Sequence, residues 1–320
     1  MESDYAFQFM HRKMLDDEVR CELFREAIFE VVQPGDVVLD VGAGTGLLSV
    51  FAAQAGARRV YAVEATSIAR FAREVVERNG VRDRVEVIHA PIEEVDPPEQ
   101  VDVLISEWLG AYGVDENLLA TVLSARDRWL RTGGTMLPAT VTAWHAPVIV
   151  EGLEEERERW RSGRFGIDLS PVAERQASEV YYEIESIRPK HLIADPQPMW
   201  TTDCYAETVE RARRPFEANT TFRATHDGRF NGLAAWFVAE LSDGVELSTA
   251  PDRPRTHWGQ AFLPIDEAIH VTKGAEIRAT VHCLPAGPGV SWAEWGVQVG
   301  AAERKWHVEL SRSPIDLLES

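Results

Sequence analysis

"VVLDVGAGTGLLS", residues 37–49, is the stretch on which the fold turns. Its first half is an almost unbroken aliphatic run, the pattern of a strand buried on both faces. Asp40 falls near the end of that strand, and Gly42, Gly44 and Gly46 fall in the turn before an apolar helix. Glycines accept positive φ and let a backbone pass close to a ligand. A glycine triplet alone is shared by several nucleotide cofactors. The spacing here is G-x-G-x-G with an acid two residues ahead, whereas dinucleotide-binding turns read G-x-G-x-x-G. An NAD enzyme is therefore disfavoured.

Working outward, strand and helix patterns alternate. A helix over 45–56 ends at Gly56, which suits a left-handed C-terminal residue. "RVYAVE" (59–64) is a second strand closing on Glu64, and a helix over 67–80 stops at Asn79-Gly80. "VEVIHA" (85–90) and "VDVLISE" (101–107) are further strands, and "ENLLATVLSARDRWL" (116–130) is a helix. Such alternation with short connections predicts a parallel α/β sheet. Residues 1–30 carry helical periodicity through Met10, Met14, Val19, Leu23 and Phe24. Beyond "GGTMLP" (133–138) the pattern becomes strand-like with interspersed turns, which predicts a second, antiparallel β domain. Within it, residues 151–176 read as an amphipathic helical arm.

Composition narrows the function classes. A formal charge of −19 opposes nucleic-acid and anionic-membrane partners and is compatible with a cationic substrate. Three widely spaced cysteines form no disulfide framework, as expected of a reduced, cytoplasmic protein. No run approaches the ~20 apolar residues that span a bilayer, and "MESDYAFQF" lacks the features of a signal peptide. The pair His282-Cys283 alternates across a strand and lacks further ligands, so no metal site is expected.

With Asp40, the three glycines, Glu64 at the end of the second strand and "PIEEV" (91–95) after the third, the spacing resembles that of class I S-adenosylmethionine (AdoMet) methyltransferases. In such a fold the loop after "VDVLI" lies at the methyl-donor site. That loop, "SEWLGAYGVDEN" (106–117), gathers Glu107, Asp115 and Glu116. Like charges repel, so such a loop either lies in water or holds a cation. An arginine guanidinium stays charged at neutral pH and is a poor nucleophile because its lone pairs are delocalised. Two carboxylates gripping its N–H fork would draw the charge to one side and align the remaining nitrogen for transfer.

The opening "SEW-x-G" with a second glutamate nine residues after the first resembles the double-glutamate loop of the protein arginine methyltransferases. Thr256-His257-Trp258 resembles that family's late "THW" loop, and "HRKMLDDEVR" (11–20) its N-terminal helix. The likeness spans roughly residues 5–310. It implies an AdoMet-binding Rossmann-like domain with the N-terminal helix over 1–138, then a β-barrel domain over 139–320 whose arm forms a homodimer. It assigns Glu107 and Glu116 to the guanidinium clamp, and Asp17 with His257 to carrying the proton away. It assigns Asp40, Gly42, Gly44, Glu64 and Glu93 to the AdoMet pocket, with His11, Met14 and Arg20 closing over it. Trp258 and Tyr5 are the implied substrate contacts.

Two departures from the family pattern concern the acceptor. Met1 and Glu2 stand where a Tyr-Phe pair would precede Tyr5, and Ala111 replaces the usual aromatic after Gly110, with Tyr112 one place later. Asp115 is expected to add negative charge at the pocket mouth. Arginine also outnumbers lysine 29 to 4, a bias of GC-rich genomes. Together these tilt the reading toward a bacterial member acting on free L-arginine or a small guanidine. Arginine within a peptide or protein is the alternative, and a different small-molecule nucleophile is another.

Overall fold

The computed structural model describes residues 11–176, 180–181, 187–287 and 289–310. Tyr5 lies outside them. Five parallel strands form the first sheet: β1 (Val37–Val41), β2 (Arg59–Glu64), β3 (Val85–His89), β4 (Val101–Ile105) and β5 (Leu130–Leu137), in the order β3-β2-β1-β4-β5. Every residue of β1 is buried, because it pairs on both sides, with Val38 opposite Val60 and Val103. The chain runs outward from β1 through β2 to β3, then restarts on the other side at β4. The loops after β1 and β4 therefore meet at the carboxyl edge, where open α/β sheets bind ligands. Ser106 joins them: its Oγ donates to Val41 O at 2.8 Å.

The helices follow the expected stop signals, with one difference at the N-terminal segment. Helix α2 (Leu47–Ala55) ends on Gly56 at φ +119°, and α3 (Ala69–Arg78) ends at Asn79 before Gly80 at φ +69°. The N-terminal segment is not one continuous helix. Residues 11–16 are helical, Asp17 breaks the run, and α1 (Glu18–Val31) restarts with the Asp17 carboxylate accepting Arg20 N–H at 2.9 Å. An acidic side chain that satisfies a free N–H of the first turn makes a strong N-cap. The inward stripe of α1 is Arg20, Phe24, Ala27 and Ile28, at the i, i+4, i+7, i+8 spacing of one helix face.

β5 escapes a reading by pattern, because "LRTGGTML" carries Gly133-Gly134 in its middle. The glycine pair marks a register shift against β4 rather than a turn between domains.

After α4 (Leu119–Trp129) and β5, the chain turns antiparallel. β6 (Thr140–Val148) and the fifteen-residue β9 (Gly228–Ser242) form the centre of one sheet, flanked by β7 (Gln197–Asp203), β10 (Val245–Ser248) and β11 (Ala261–Val271). A second sheet has the order β14-β13-β12-β8, from β8 (Phe216–Arg223), β12 (Glu276–Gly287), β13 (Val290–Val299) and β14 (Ala302–Leu310). The architecture is thus α/β: a Rossmann-like sheet followed by an antiparallel β-barrel-like domain. α1 packs against α2 and also against β9 and β10, so it bridges the two. The arm is two helices, α5 (Leu153–Arg161) and α6 (Ser170–Gln176), separated by a turn in which Gly163, Phe165 and Gly166 all have positive φ. Among the described residues, no helix is long and apolar enough to cross a membrane.

Gly232 shows how tightly the barrel closes. It pairs with Val148 on β6 and Pro264 on β11, and a Cβ built on it would lie 2.5 Å from Phe262 Cζ and 2.7 Å from Leu263 O. Gly232→Ala is expected to cost about 1–3 kcal/mol through overpacking. Urea denaturation would read this as a lowered midpoint, and an unchanged midpoint would contradict it.

Candidate active site

The glycine turn is built for close approach. Gly42, Gly44 and Gly46 have φ of +72°, +53° and +82°, and a Cβ on Gly42 would meet no atom within 4 Å. Gly44 N–H donates to Glu64 Oε2 at 2.9 Å, and the Thr66 N–H and hydroxyl donate to Glu64 Oε1 at 2.8 and 2.7 Å. The strand-end carboxylate is thereby held against the turn, with lone pairs left over, since an ionised carboxylate accepts about four hydrogen bonds. Asp40 is buried beneath. Its Oδ2 accepts the Ser49 hydroxyl at 2.6 Å while, among the described residues, Oδ1 has no hydrogen-bond partner. Burial pushes the Asp40 carboxyl up to about 7, although the Ser49 bond opposes this.

His11 covers the turn: a Cβ on Gly44 would lie 3.3 Å from His11 Cε1. Burial lowers the His11 pKa, the nearby Glu64 charge opposes that, and Arg20 adds to it. Met14 contributes through its carbonyl, which accepts Arg20 Nη1 at 3.5 Å.

Arg20 is nine-tenths buried, and its Nε and Nη2 donate to Glu107 Oε2 at 3.2 and 2.9 Å. Burial alone would weaken its hold on the proton, but the Glu107 charge and hydrogen bond outweigh this and leave the pKa raised. The other oxygen, Glu107 Oε1, accepts Leu109 N–H at 3.1 Å. Both oxygens of Glu107 are therefore fixed by the protein.

Glu116 is the opposite. Among the described residues, its carboxylate makes no hydrogen bond or ion pair. Its side chain is exposed, yet protein surrounds it deeply enough to desolvate it, as for a group lining a concavity. Desolvation, then Glu107 and then Asp115, push it up to about 8. Solvent access tempers the first cause, but all three act in the same direction.

Asp115 is not an extra charge at the mouth. It is buried, and it turns back to accept the N–H groups of Ala111 and Tyr112, both at 3.0 Å. Tyr112 is also buried, edge-on to Trp200 at 6.1 Å, so it does not replace the missing aromatic at the surface. Backbone amides drew the charge inward, and a core pocket drew the ring.

The β domain supplies the remaining wall. His257 Nδ1 and its backbone N–H both reach Asp17 Oδ2, at 2.8 and 2.7 Å. A carboxylate at Nδ1 favours the tautomer protonated there, leaving Nε2 as an acceptor. Burial pushes the Asp17 carboxyl up, but its bonds from His257 and from Arg20 N–H outweigh this and hold it below its usual range. Trp258 is buried as a brace: its Nε1 donates to Leu109 O at 2.7 Å, and its ring stands edge-on to Phe237 at 5.1 Å.

Thus Asp17 ties α1 to the late loop, Arg20 ties α1 to Glu107, and Trp258 ties the late loop to the double-glutamate loop. His11, Glu64 and Gly44 adjoin them. Glu93 stands apart in these bonds; it is exposed on a 3-10 turn (Ile92–Glu94) and accepts the Thr121 hydroxyl at 3.0 Å. Sequence reading missed Ser106, Thr66 and the Leu109 backbone, whose roles are carried by generic hydrogen-bonding groups. It also missed Asn117, although a non-glycine residue at φ +52° is a local signature of asparagine.

A Rossmann-like sheet with this glycine turn and strand-end acids, joined to an antiparallel β domain, defines a class I methyltransferase. Residues 140–289 match the arginine methyltransferase oligomerization subdomain, and residues 22–125 match the ribosomal protein L11 methyltransferase model. A protein arginine N-methyltransferase 6 of Xenopus laevis is 34% identical over 291 residues, covering 88% of this chain and 85% of the relative. A PRMT10 of rice (Oryza sativa subsp. japonica) is 36% identical over 307 residues, covering 86% and 80%. Among solved structures, Arabidopsis thaliana protein arginine methyltransferase 10 superposes with a TM-score of 0.83 at 28% identity, over 96% of this chain and 99% of that one. The Trypanosoma brucei PRMT1 enzyme–prozyme heterotetrameric complex with AdoHcy gives 0.84 at 27% identity, over 93% and 98%. The chain belongs to the protein arginine N-methyltransferase family.

Asp17→Ala removes a helix cap and both bonds to His257, and is expected to cost about 1–2 kcal/mol. The folded-state pKa is depressed, so this contribution exists above the unfolded carboxyl's pKa and is lost as pH falls through the folded one. Denaturation of both proteins across that acid range should show the gap closing. A pH-independent gap would mean that the ionised form does not matter.

Proposed function

We propose that this chain is an AdoMet-dependent enzyme that methylates a guanidinium nitrogen of arginine residues in proteins or peptides. The observation that carries the reading is Glu116, a carboxylate with no hydrogen bond or ion pair among the described residues, beside a Glu107 already fixed by Arg20 and Leu109. A free carboxylate next to an anchored one is a site for a cation with forked donors.

The donor pocket fits AdoMet. Asp40 has a buried oxygen without a partner among the described residues, Gly42 leaves open space, Glu64 has acceptor capacity, and His11 covers the turn. These residues, with Arg20 and Met14, would hold the cofactor, and Glu93 would serve the adenine edge. Bound there, AdoMet supplies an electrophilic methyl group.

Glu107 presents a pre-oriented carboxylate, and Glu116 closes on the opposite side of the guanidinium. Together they draw positive charge toward the nitrogens they bind and leave the remaining nitrogen richer in electrons. After transfer that nitrogen carries a surplus proton, which His257 Nε2 accepts while Asp17 stabilises the imidazolium. Tyr5 and Trp258 remain proposed substrate contacts, Trp258 acting through its brace on the Leu109 loop.

The relatives' names speak for peptidyl arginine as acceptor, against the tilt toward the free amino acid drawn from composition and from departures from the family pattern. They offer nothing for a bacterial origin. A homodimer through the arm belongs to the same reading, supported by the match to an oligomerization subdomain and by the exposed Phe165, Ile167 and Val172.

Mass spectrometry after incubation with AdoMet, an arginine-rich peptide or free L-arginine tests the acceptor. One or two methyl groups on the peptide alone is expected, and methylation confined to free arginine would reverse the assignment. Glu116→Gln should lower peptide turnover at least ~100-fold, as for loss of a group that stabilises transition-state charge, with AdoMet binding retained by calorimetry. Substantial activity in that variant would remove the clamp.

Cation binding needs ionised Glu116, whose pKa is raised to about 8. kcat/KM for the peptide should therefore rise with pH through a limb well above the ordinary glutamate range. A flat profile across that limb would contradict this.

A further inference from the structure

Glu116 is held by its two neighbours in sequence. On one side the 110–115 segment closes on Asp115, whose Oδ2 accepts Ala111 N–H and whose Oδ1 accepts Tyr112 N–H. The fit is exclusive: a Cβ on Gly110 would lie 2.5 Å from Asp115 Cγ and 2.6 Å from Oδ2. Gly110 and Gly113 bridge each other, and Gly113, at φ +98°, seats the turn against Val141 of β6. On the other side Asn117 Nδ2 donates to Gly287 O of β12 at 2.6 Å. The free carboxylate thus projects from a backbone fixed at both flanks.

We propose that Asp115 is a positioning residue for arginine methylation, tying residues 110–115 into one rigid turn that sets where Glu116 meets the guanidinium and adding its own negative charge behind it. The inference rests on the function proposed above. The charged groups facing Glu116 are Glu107, from the start of the same loop, and Asp115, while Arg20 of α1 acts on Glu107. Asp115 is itself buried and pushed up to about 6, its backbone hydrogen bonds opposing a larger desolvation. It is therefore charged at neutral pH and pushes Glu116 upward.

Two variants separate position from charge. Asp115→Asn keeps one acceptor oxygen but turns an amide NH2 toward a backbone N–H, and it removes the charge. Gly110→Ala keeps the charge but drives a methyl group into the carboxylate. Both should lower kcat/KM for an arginine peptide roughly tenfold to a hundredfold, the scale of a small misplacement at a reacting centre. AdoMet affinity by calorimetry should stay within about twofold, since the loop does not form the glycine turn. The acid limb of kcat/KM should move to lower pH in Asp115→Asn and stay in place in Gly110→Ala.

Retention of kcat/KM within about twofold in both variants would overturn the proposal. So would an activity loss matched by an equal loss of AdoMet affinity, which marks a merely structural role. Should Asp115→Asn fail to fold, Gly110→Ala decides by the same criteria. A wild-type protein that methylates no arginine acceptor would overturn the proposed function itself, whereas an active wild type with indifferent variants overturns only the role of Asp115.

Discussion

Three carboxylates within ten residues repel one another, and the surrounding structure resolves that repulsion differently for each. Glu107 is neutralised by the buried Arg20 of α1. Asp115 is answered by two backbone N–H groups of its own loop. Among the described residues Glu116 receives neither, and desolvation and its two acidic neighbours oppose its ionisation. The order of α1, the turn geometry of the 110–115 segment and the seating of both on the β domain all follow from keeping that arrangement in place.

Two elements far apart in sequence hold it. Asp17 caps α1 and grips His257, 240 residues away, with two bonds. Trp258 then bonds the backbone of Leu109, between the two glutamates. α1, the late loop of the β domain and the loop after β4 therefore form a closed ring of contacts around the carboxyl edge of the sheet. Substitution at Asp17 would loosen both the cofactor side and the acceptor side, whereas a change confined to Glu116 touches only the acceptor. This division explains why polar groups are spent on bracing: charged clusters hold their geometry only when each member is satisfied or deliberately left for a ligand.

Much of this was legible in the sequence, and what was not has physical reasons. The strand–glycine–helix turn, the Gly56 and Asn79-Gly80 stops and the pairing of Asp17 with His257 follow from local patterns or from the family resemblance. β5 was hidden because a glycine pair inside a strand looks like a turn until a neighbouring strand shifts register to accept it. The inward turn of Asp115 was hidden because a carboxylate's direction depends on which backbone N–H groups the loop exposes. Tyr112 faces Trp200 rather than the mouth for a similar reason, since a nearby aromatic pocket offers more than solvent does. The arm reads as one amphipathic stretch, yet Gly163 and Gly166 in the left-handed region fold it into two helices.

The central claim is that Glu116, its pKa raised by desolvation and by Glu107 and Asp115, awaits a guanidinium whose arrival favours its ionised form. Calorimetry of an arginine peptide binding to the protein with AdoHcy, repeated in buffers of different ionisation enthalpy, measures the proton that binding releases. The account predicts net proton release near neutral pH in the wild type and none in Glu116→Gln. Binding with no linked proton in the wild type would contradict it.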